Sequence, residues 1–148
     1  TAASGTWPPS PASGSPRWGY DAPVAAPPPR SPVYALNFYS PIVADQLRSR
    51  RKQATIRLGD KSDKYKKGQI VAILTGQRFG PRHKIFDAVI DKIEVKPLRD
   101  CSPRELERDN PEIRRTEDMV HFLSQLYNRE VTEDDLVTII QFSEIVAS

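Results

Sequence analysis

The hydrophobic and polar positions of this chain predict an α+β domain over residues 33–148. Five segments have the alternating or continuously apolar pattern of strands: Val33–Tyr39, Thr55–Leu58, Gln69–Thr75, Ile85–Val95 and Leu136–Phe142. Gln69–Thr75 is apolar on both faces, which is typical of a central strand. We expect these strands to form a Greek-key-like sheet that curls into a small β-barrel.

Three short helices are predicted to flank this sheet. Ser40 and Pro41 supply an N-cap and a first-turn proline for a helix that continues to about Arg50. Ser102–Glu105 has the pattern of a capping box, which opens a second helix. Thr116 is expected to cap the third helix, whose apolar residues lie at helical spacing and indicate ordinary core: Met119, Phe122, Leu123, Leu126 and Tyr127.

Residues 1–32 differ in composition from the rest, since they hold nine of the fourteen prolines and few aliphatic side chains. Such a segment buries too little apolar area to offset its ordering entropy, which predicts an extended or disordered proline-rich tail. The tail is either a linker with incidental aromatic residues or a segment that lays its rings and cations onto a partner. The candidate tail contacts are Trp7, Arg17, Trp18, Tyr20 and Arg30. Recruitment of a polyproline-binding partner is a further hypothesis.

Charge is distributed unevenly along the chain. Residues 48–84 have a net charge of +10 and residues 85–148 a net charge of −7, although the whole chain has only +3. The densest cations lie in Arg48–Arg57, which leads into a predicted strand that places Gln53, Thr55 and Arg57 on one face. Nucleic acid is the commonest large anion, so this asymmetry indicates an anion-binding face. The alternative interpretation is a solvated, lysine-rich loop over Lys61–Lys67.

Composition limits the remaining classes of function. The single cysteine, Cys101, excludes an internal disulfide framework, and with only two histidines it argues against a structural zinc site. No cofactor or metal is therefore predicted. No run approaches the roughly 20 apolar residues of a membrane span, and no leader is recognisable, so we expect a cytoplasmic protein without a membrane partner. Arg99 and a following helix start are expected to lower the pKa of Cys101, but no histidine is spaced for thiol catalysis.

Three segments together carry a family resemblance. A helix precedes Lys52-x-x-Thr55-x-Arg57, then Tyr65–Val71 follows, and a late strand ends in Gln141-Phe142. This order resembles the ASCH domain family, small barrels similar to the PUA fold, over about residues 34–145. The family motif Gly-x-Lys-x-x-Thr-x-Arg is matched at its lysine, threonine and arginine, while Arg50 stands at the glycine position. We expect that departure to let the helix run on or to change the turn.

The resemblance implies two functions. ASCH members are associated with RNA binding, which makes the chain an RNA-binding module whose partner is a large structured RNA or ribonucleoprotein. A ribosome, with its ribosomal RNA and ribosomal proteins, is one such partner. The barrel is then expected to present Lys52, Thr55, Arg57, Arg78 and Arg82 in a cleft, while the Arg48–Arg51 run contacts backbone phosphates. His83 either contacts RNA or is simply exposed in a turn. The candidate RNA contacts are Arg48, Arg50, Arg51, Lys52, Thr55, Arg57, Arg78, Arg82, His83 and Lys84.

The alternative function is an amidohydrolase acting on N4-acetylcytidine-type nucleosides, because some small bacterial ASCH proteins are associated with hydrolysis of acetylated cytidine. The resemblance implies that Lys52 is the catalytic lysine, Thr55 the nucleophile and Asp109 the acid, with Glu107 the less favoured position for the acid. The missing glycine, the aspartate in place of a glutamate and the basic surroundings favour binding over catalysis.

Overall fold

The computed structural model describes residues 34–146 of the chain. The predictions about the tail, including the contacts of Trp7, Arg17, Trp18, Tyr20 and Arg30, lie outside the described residues. In chain order the elements are β1 (Tyr34–Phe38), α1 (Pro41–Arg48), β2 (Ala54–Leu58), β3 (Ile70–Gly76), β4 (Arg82–Pro97), a 3-10 turn (Leu98–Asp100), α2 (Pro103–Asp109), α3 (Thr116–Tyr127) and β5 (Leu136–Glu144).

The five strands form one mixed sheet in the order β1-β3-β4-β5-β2. Strands β1 and β3 are parallel, and the other three neighbouring pairs are antiparallel. The sixteen-residue strand β4 holds the sheet together, because it pairs first with β3 and then with β5. The register shifts between Ile73 and Leu74 in one ladder and between Ile90 and Lys92 in the other, and such bulges bend strands. The sheet curls accordingly into a half-barrel flanked by the three helices.

Helix α1 ends at Arg48, with Ser49 as its C-cap, so the expected extension beyond the cap is wrong. Arg50 has φ of 63°, the left-handed conformation that a glycine adopts most easily. Its N–H donates to Leu47 O at 3.0 Å, and the N–H of Arg51 donates to Gln46 O at 2.9 Å. These two bonds make a Schellman motif, which satisfies the last carbonyls of the helix. The arginine therefore forms the turn that the missing glycine would have formed.

Two hydrophobic clusters bury the apolar residues of the sheet. One lies under α1 and includes Leu36, Leu47 and Ile140, and the other lies under α2 and α3 and includes Leu106 and Met119. The helix α3 is preceded by Arg115 as its N-cap, which makes no side-chain cap bond, so the predicted cap at Thr116 is wrong by one residue. No helix within residues 34–146 has the length and apolar content to cross a membrane.

The predicted apolar stripe of α3 is only partly core. Met119 and Leu123 are fully buried, as expected, whereas Leu126 and Tyr127 are 47% and 38% exposed. The last turn of the helix extends past the hydrophobic cluster, and these two side chains line a cavity instead. The prediction that all five residues are core is therefore wrong for the last two.

Candidate functional site

A cavity of about 390 Å³ opens between the end of β1, strand β2 and helix α3. Its interior is lined by Lys52, Thr55 and Asp109, the three residues of the proposed catalytic set. Tyr39 and Tyr127 also line it, and both are partly exposed. The cavity thus combines buried polar groups with aromatic rings that reach solvent.

Lys52 and Asp109 form a buried ion pair inside this cavity. Lys52 Nζ lies 2.8 Å from Asp109 Oδ1 and donates a second bond, of 2.7 Å, to the Asp109 backbone carbonyl. Each side chain is only 3% exposed. Burial lowers the pKa of Lys52 below its usual value, and the Asp109 carboxylate opposes that shift. The start of β2 is thereby tied to the end of α2, a link strengthened by the Ile56 N–H, which donates to the same Oδ1 at 2.8 Å.

Thr55 is buried, although its strand face was expected to be polar. Its hydroxyl oxygen accepts a hydrogen bond of 3.2 Å from Arg57 Nε, and Arg57 Nη2 donates to Asn37 O at 3.1 Å. The Arg57 guanidinium also lies 4.9 Å from the centre of the Phe38 ring, within reach of a cation–π interaction. Arg57 is thus fixed in the wall of the cavity by three separate contacts.

Two acceptor atoms at this cavity are buried without a donor. Asp109 Oδ2 and Asn37 Oδ1 both lack a hydrogen-bond partner among residues 34–146. Buried polar oxygens normally have partners, and leaving one unsatisfied costs about 1–3 kcal/mol. Both residues line the cavity, but the two oxygens themselves are covered, so they lie behind its surface and a ligand meets them only after a side chain turns.

Two arginines from the β3–β4 hairpin lie at the mouth of the cavity. The guanidinium groups of Arg78 and Arg82 lie 5.8 and 5.7 Å from the centre of the Tyr39 ring. Arg82 Nη2 also donates to the Tyr39 hydroxyl at 3.3 Å and to the Arg78 carbonyl at 3.2 Å. Arg78 lines the cavity itself, and Arg82 reaches its rim through Tyr39.

The other candidate RNA contacts, including the Arg48–Arg51 run that was expected on backbone phosphates, lie outside this cavity. Arg48 and His83 line a different depression, and Arg50 lines a third, where it pairs with Glu144 at 2.7 Å. Arg51 donates to Ser49 Oγ and Lys84 pairs with Asp87. The structure therefore brings together Lys52, Thr55, Arg57, Arg78 and Arg82, and it separates from them Arg48, Arg50, Arg51, His83 and Lys84.

The Lys61–Lys67 segment is a loop between β2 and β3. Its lysines are exposed and none of them lines the cavity, whereas Tyr65 is buried and donates its hydroxyl to Ala35 O at 3.1 Å. For this segment, the solvated interpretation describes the geometry better than the anion-binding one.

Cys101 is buried, and burial together with the charge of Glu105 raises its pKa to about 11. The expectation that Arg99 and the helix start would lower this pKa is wrong, because Arg99 points its guanidinium to Asp134 instead. Within the described part of the chain, no three residues of the types that ligate metals are clustered closely enough to hold an ion.

Asn37, Tyr39 and Tyr127 are among the cavity residues that sequence reasoning missed. Asn37 and Tyr39 lie at and just beyond the end of β1, and Tyr127 belongs to the stripe predicted as core. The sequence did contain one signal for Asn37 and Tyr39. They lie just before the Ser40 helix cap, and side chains at the end of a strand are presented at the edge of the sheet. Nothing in the spacing linked that edge to the Lys52 motif.

No family model and no curated protein matches the chain. Solved structures do match it. Protein EF3133 from Enterococcus faecalis V583, of the DUF984 family, aligns at 18% identity over 78% of this chain and 82% of that one, with a TM-score of 0.54. The ASCH domain from Lactobacillus crispatus JV V101 aligns at 14% identity over 75% and 80%, with a TM-score of 0.52. The hypothetical protein PH0355 aligns at 18% identity over 74% of this chain and 100% of that one, also with a TM-score of 0.52.

These likenesses concern the fold. They confirm the predicted α+β, PUA-like architecture of ASCH type, which the curled five-stranded sheet and its three helices form here.

Proposed function

We propose that this ASCH-type chain is an RNA-binding module that accepts one unpaired nucleobase in the cavity beside Thr55. The observation that carries the proposal is the joint presence of two tyrosines and two arginines around a cavity whose lining includes the polar side chains of Asn37, Thr55 and Asp109. An RNA nucleotide has the matching parts, namely a flat base with N–H donors and an anionic backbone.

The size of the cavity agrees with such a ligand. Its 390 Å³ falls within the range of about 300–1,000 Å³ that is common for small-molecule sites. Tyr39 and Tyr127 are the tyrosines of the cavity on which a base stacks, an interaction worth about 1–3 kcal/mol per base, and on Tyr39 the base shares the ring with Arg78 and Arg82. The side chains of Asn37 and Asp109 turn to accept from the edge of the base, while Arg78 and Arg82 lie where a flanking phosphate passes.

The test is fluorescence anisotropy with short, labelled single-stranded RNAs of each base. Tyr39→Ala removes a stacking face, and we expect it to weaken binding by about 5- to 150-fold. The matched control is Arg115→Ala, which removes an exposed cation at the far end of α3 and leaves the cavity intact. Equal RNA affinity of Tyr39→Ala and the wild type contradicts the proposal.

A second function, hydrolysis of an N4-acylated cytidine, is favoured by the contact between Lys52 and Asp109 in the cavity that holds Thr55. In that reaction the Thr55 hydroxyl adds to the acyl carbon, cytidine leaves with a proton, and water releases the acid from the acyl-threonine. We rank it second because Lys52 Nζ directs both of its bonds to Asp109, which favours an ammonium ion over a free base.

Chromatography of N4-acetylcytidine incubated with the protein tests this second function. We expect cytidine to be released by the wild type and not by Thr55→Ala, which keeps the buried ion pair. Absence of turnover with folded wild-type protein rejects the hydrolase.

A further inference from the structure

The tip of the β3–β4 hairpin carries the most exposed large apolar side chain of the described residues. Phe79 is 98% exposed, at residues 77–81 between the two strands. One exposed hydrophobic residue has no meaning by itself. Here, however, Arg78 on one side of it lines the cavity, and Arg82 beyond it contacts Tyr39 at the mouth. Phe79 therefore belongs to the same hairpin tip as the two arginines of the proposed base site.

The hairpin is held in a fixed shape at its base and at its tip. The N–H of Gly80 donates to Gln77 O at 3.1 Å, and Arg82 Nη2 donates to Arg78 O at 3.2 Å. Gly76 has φ of 150°, and a Cβ there would lie 2.3 Å from Pro81 O, so the two chains cross too closely for any other residue. These contacts position Phe79 while leaving its ring uncovered.

We propose that Phe79 is a wedge that enters the stack of a paired RNA and takes the space of a base that has rotated into the cavity. The inference rests on the proposed function and specifies its substrate as a paired region with a mismatched or bulged base. Proteins that extract a base must first unstack it, and inserted apolar side chains are a common means of separating base steps. Arg78 and Arg82, which flank Phe79 in the sequence, face the phosphates next to the opened step.

An anionic membrane is the other large surface that attracts an aromatic ring between arginines. RNA is favoured because both arginines contact Tyr39 at the mouth of a polar cavity. A lipid surface would have no use for such a cavity. The tip also offers only one large apolar side chain, since its other residues are Gln77, Arg78, Gly80 and Pro81.

The experiment compares two RNAs by anisotropy: a hairpin with one mismatched base in its stem, and a single strand that contains the same base. Phe79→Ala is expected to weaken binding to the mismatched hairpin about tenfold or more and to leave single-strand binding unchanged. Phe79→Trp is expected to restore the hairpin affinity, because it returns a stacking ring. The control is Ile42→Ala, which removes an exposed apolar side chain from α1.

The outcomes separate this inference from the proposed function. If the wild type binds neither RNA, the proposed function fails and the wedge with it. Suppose that the wild type binds both RNAs. If Phe79→Ala then leaves both affinities unchanged, or weakens both equally, the wedge alone is rejected. The wedge is also rejected if the wild type sediments with phosphatidylserine vesicles, Phe79→Ala does not, and the two proteins bind RNA equally well.

Discussion

Lys52 and Asp109 are the two ends of one buried ion pair, so each depends on the other for its charge. Removing one partner of such a pair leaves an uncompensated charge in the interior. Lys52→Met is therefore expected to lower the free energy of unfolding in urea by about 3–5 kcal/mol at neutral pH. Adding Asp109→Asn removes the stranded carboxylate and keeps an oxygen for the Ile56 N–H.

The double variant Lys52→Met/Asp109→Asn should consequently be more stable than the sum of the two single losses indicates. Arg48→Met serves as the control, because its pair with Asp45 is exposed and contributes at most about 1 kcal/mol. A Lys52→Met protein as stable as the wild type would show that the pair is not formed in solution.

Arg50 occupies the left-handed position that ends α1, and its backbone and side chain have separable effects on stability. The left-handed conformation costs a residue with a Cβ about 1–2 kcal/mol, while the side chain pairs with Glu144 and lies 4.6 Å from the Phe86 ring. Arg50→Ala and Arg50→Gly both lose the guanidinium, but only the glycine relieves the backbone. We expect Arg50→Gly to be about 1 kcal/mol more stable than Arg50→Ala in urea unfolding. Equal stability of the two variants would place the turn outside the left-handed region.

At the scale of elements, α2 is the helix that carries Asp109 to the cavity, and its capping box fixes where it begins. Ser102 Oγ accepts from the Glu105 N–H, and Glu105 Oε1 accepts from the Ser102 N–H at 2.8 Å. Burial raises the pKa of Glu105, but the bonds from Ser102 and from Lys96 outweigh it, so the pKa is lower than usual.

A lowered pKa in the folded state means that Glu105 stabilises the protein above the pKa of the unfolded chain. That stability is lost as the pH falls through the folded pKa. Glu105→Gln keeps an oxygen for the Ser102 N–H but loses the charge that pairs with Lys96, and we expect it to cost up to about 1 kcal/mol at pH 7. The difference between variant and wild type should shrink towards zero in strong acid. Thermal unfolding at a series of pH values measures it, and a difference that grows on acidification would mean that folding raises the pKa of Glu105 instead.

The elements themselves were largely predictable from local patterns, since caps and alternation act within a few residues. Ser40, Pro41 and the Ser102–Glu105 box begin helices as predicted. The end of α1 was not predictable from residue type, because a Schellman turn was formed by an arginine whose long-range partner, Glu144, is 94 residues away. The same limit applies to the cavity: Lys52, Thr55 and Arg57 share one local motif, whereas Tyr39 reaches them only through the fold.

At the scale of the whole molecule, net charge along the sequence and charge around the cavity are different quantities. The +10 segment folds so that its cations lie on several surfaces, and four of its twelve cations pair with carboxylates. Under the proposed function, the cations near Tyr39 and Thr55 are the ones that meet an RNA strand entering the cavity. A sum over sequence cannot reveal this, because the sheet order β1-β3-β4-β5-β2 decides which loops become neighbours.

This distribution predicts how salt acts on the proposed RNA binding. The logarithm of the affinity for single strands falls with the logarithm of salt concentration by about 0.7 for each phosphate neutralised. Arg78→Ala/Arg82→Ala should therefore reduce that slope by about 1.4 for a strand just long enough to cross the cavity mouth. Arg48→Ala/Arg51→Ala removes the same charge from α1 and its end, where the two guanidiniums bond locally, and should leave the slope unchanged. Anisotropy titrations at several salt concentrations measure both slopes. If Arg48→Ala/Arg51→Ala reduces the salt slope more than Arg78→Ala/Arg82→Ala does, the prediction is wrong. The RNA would then contact the end of α1, where the cations are densest in the sequence, and not the hairpin.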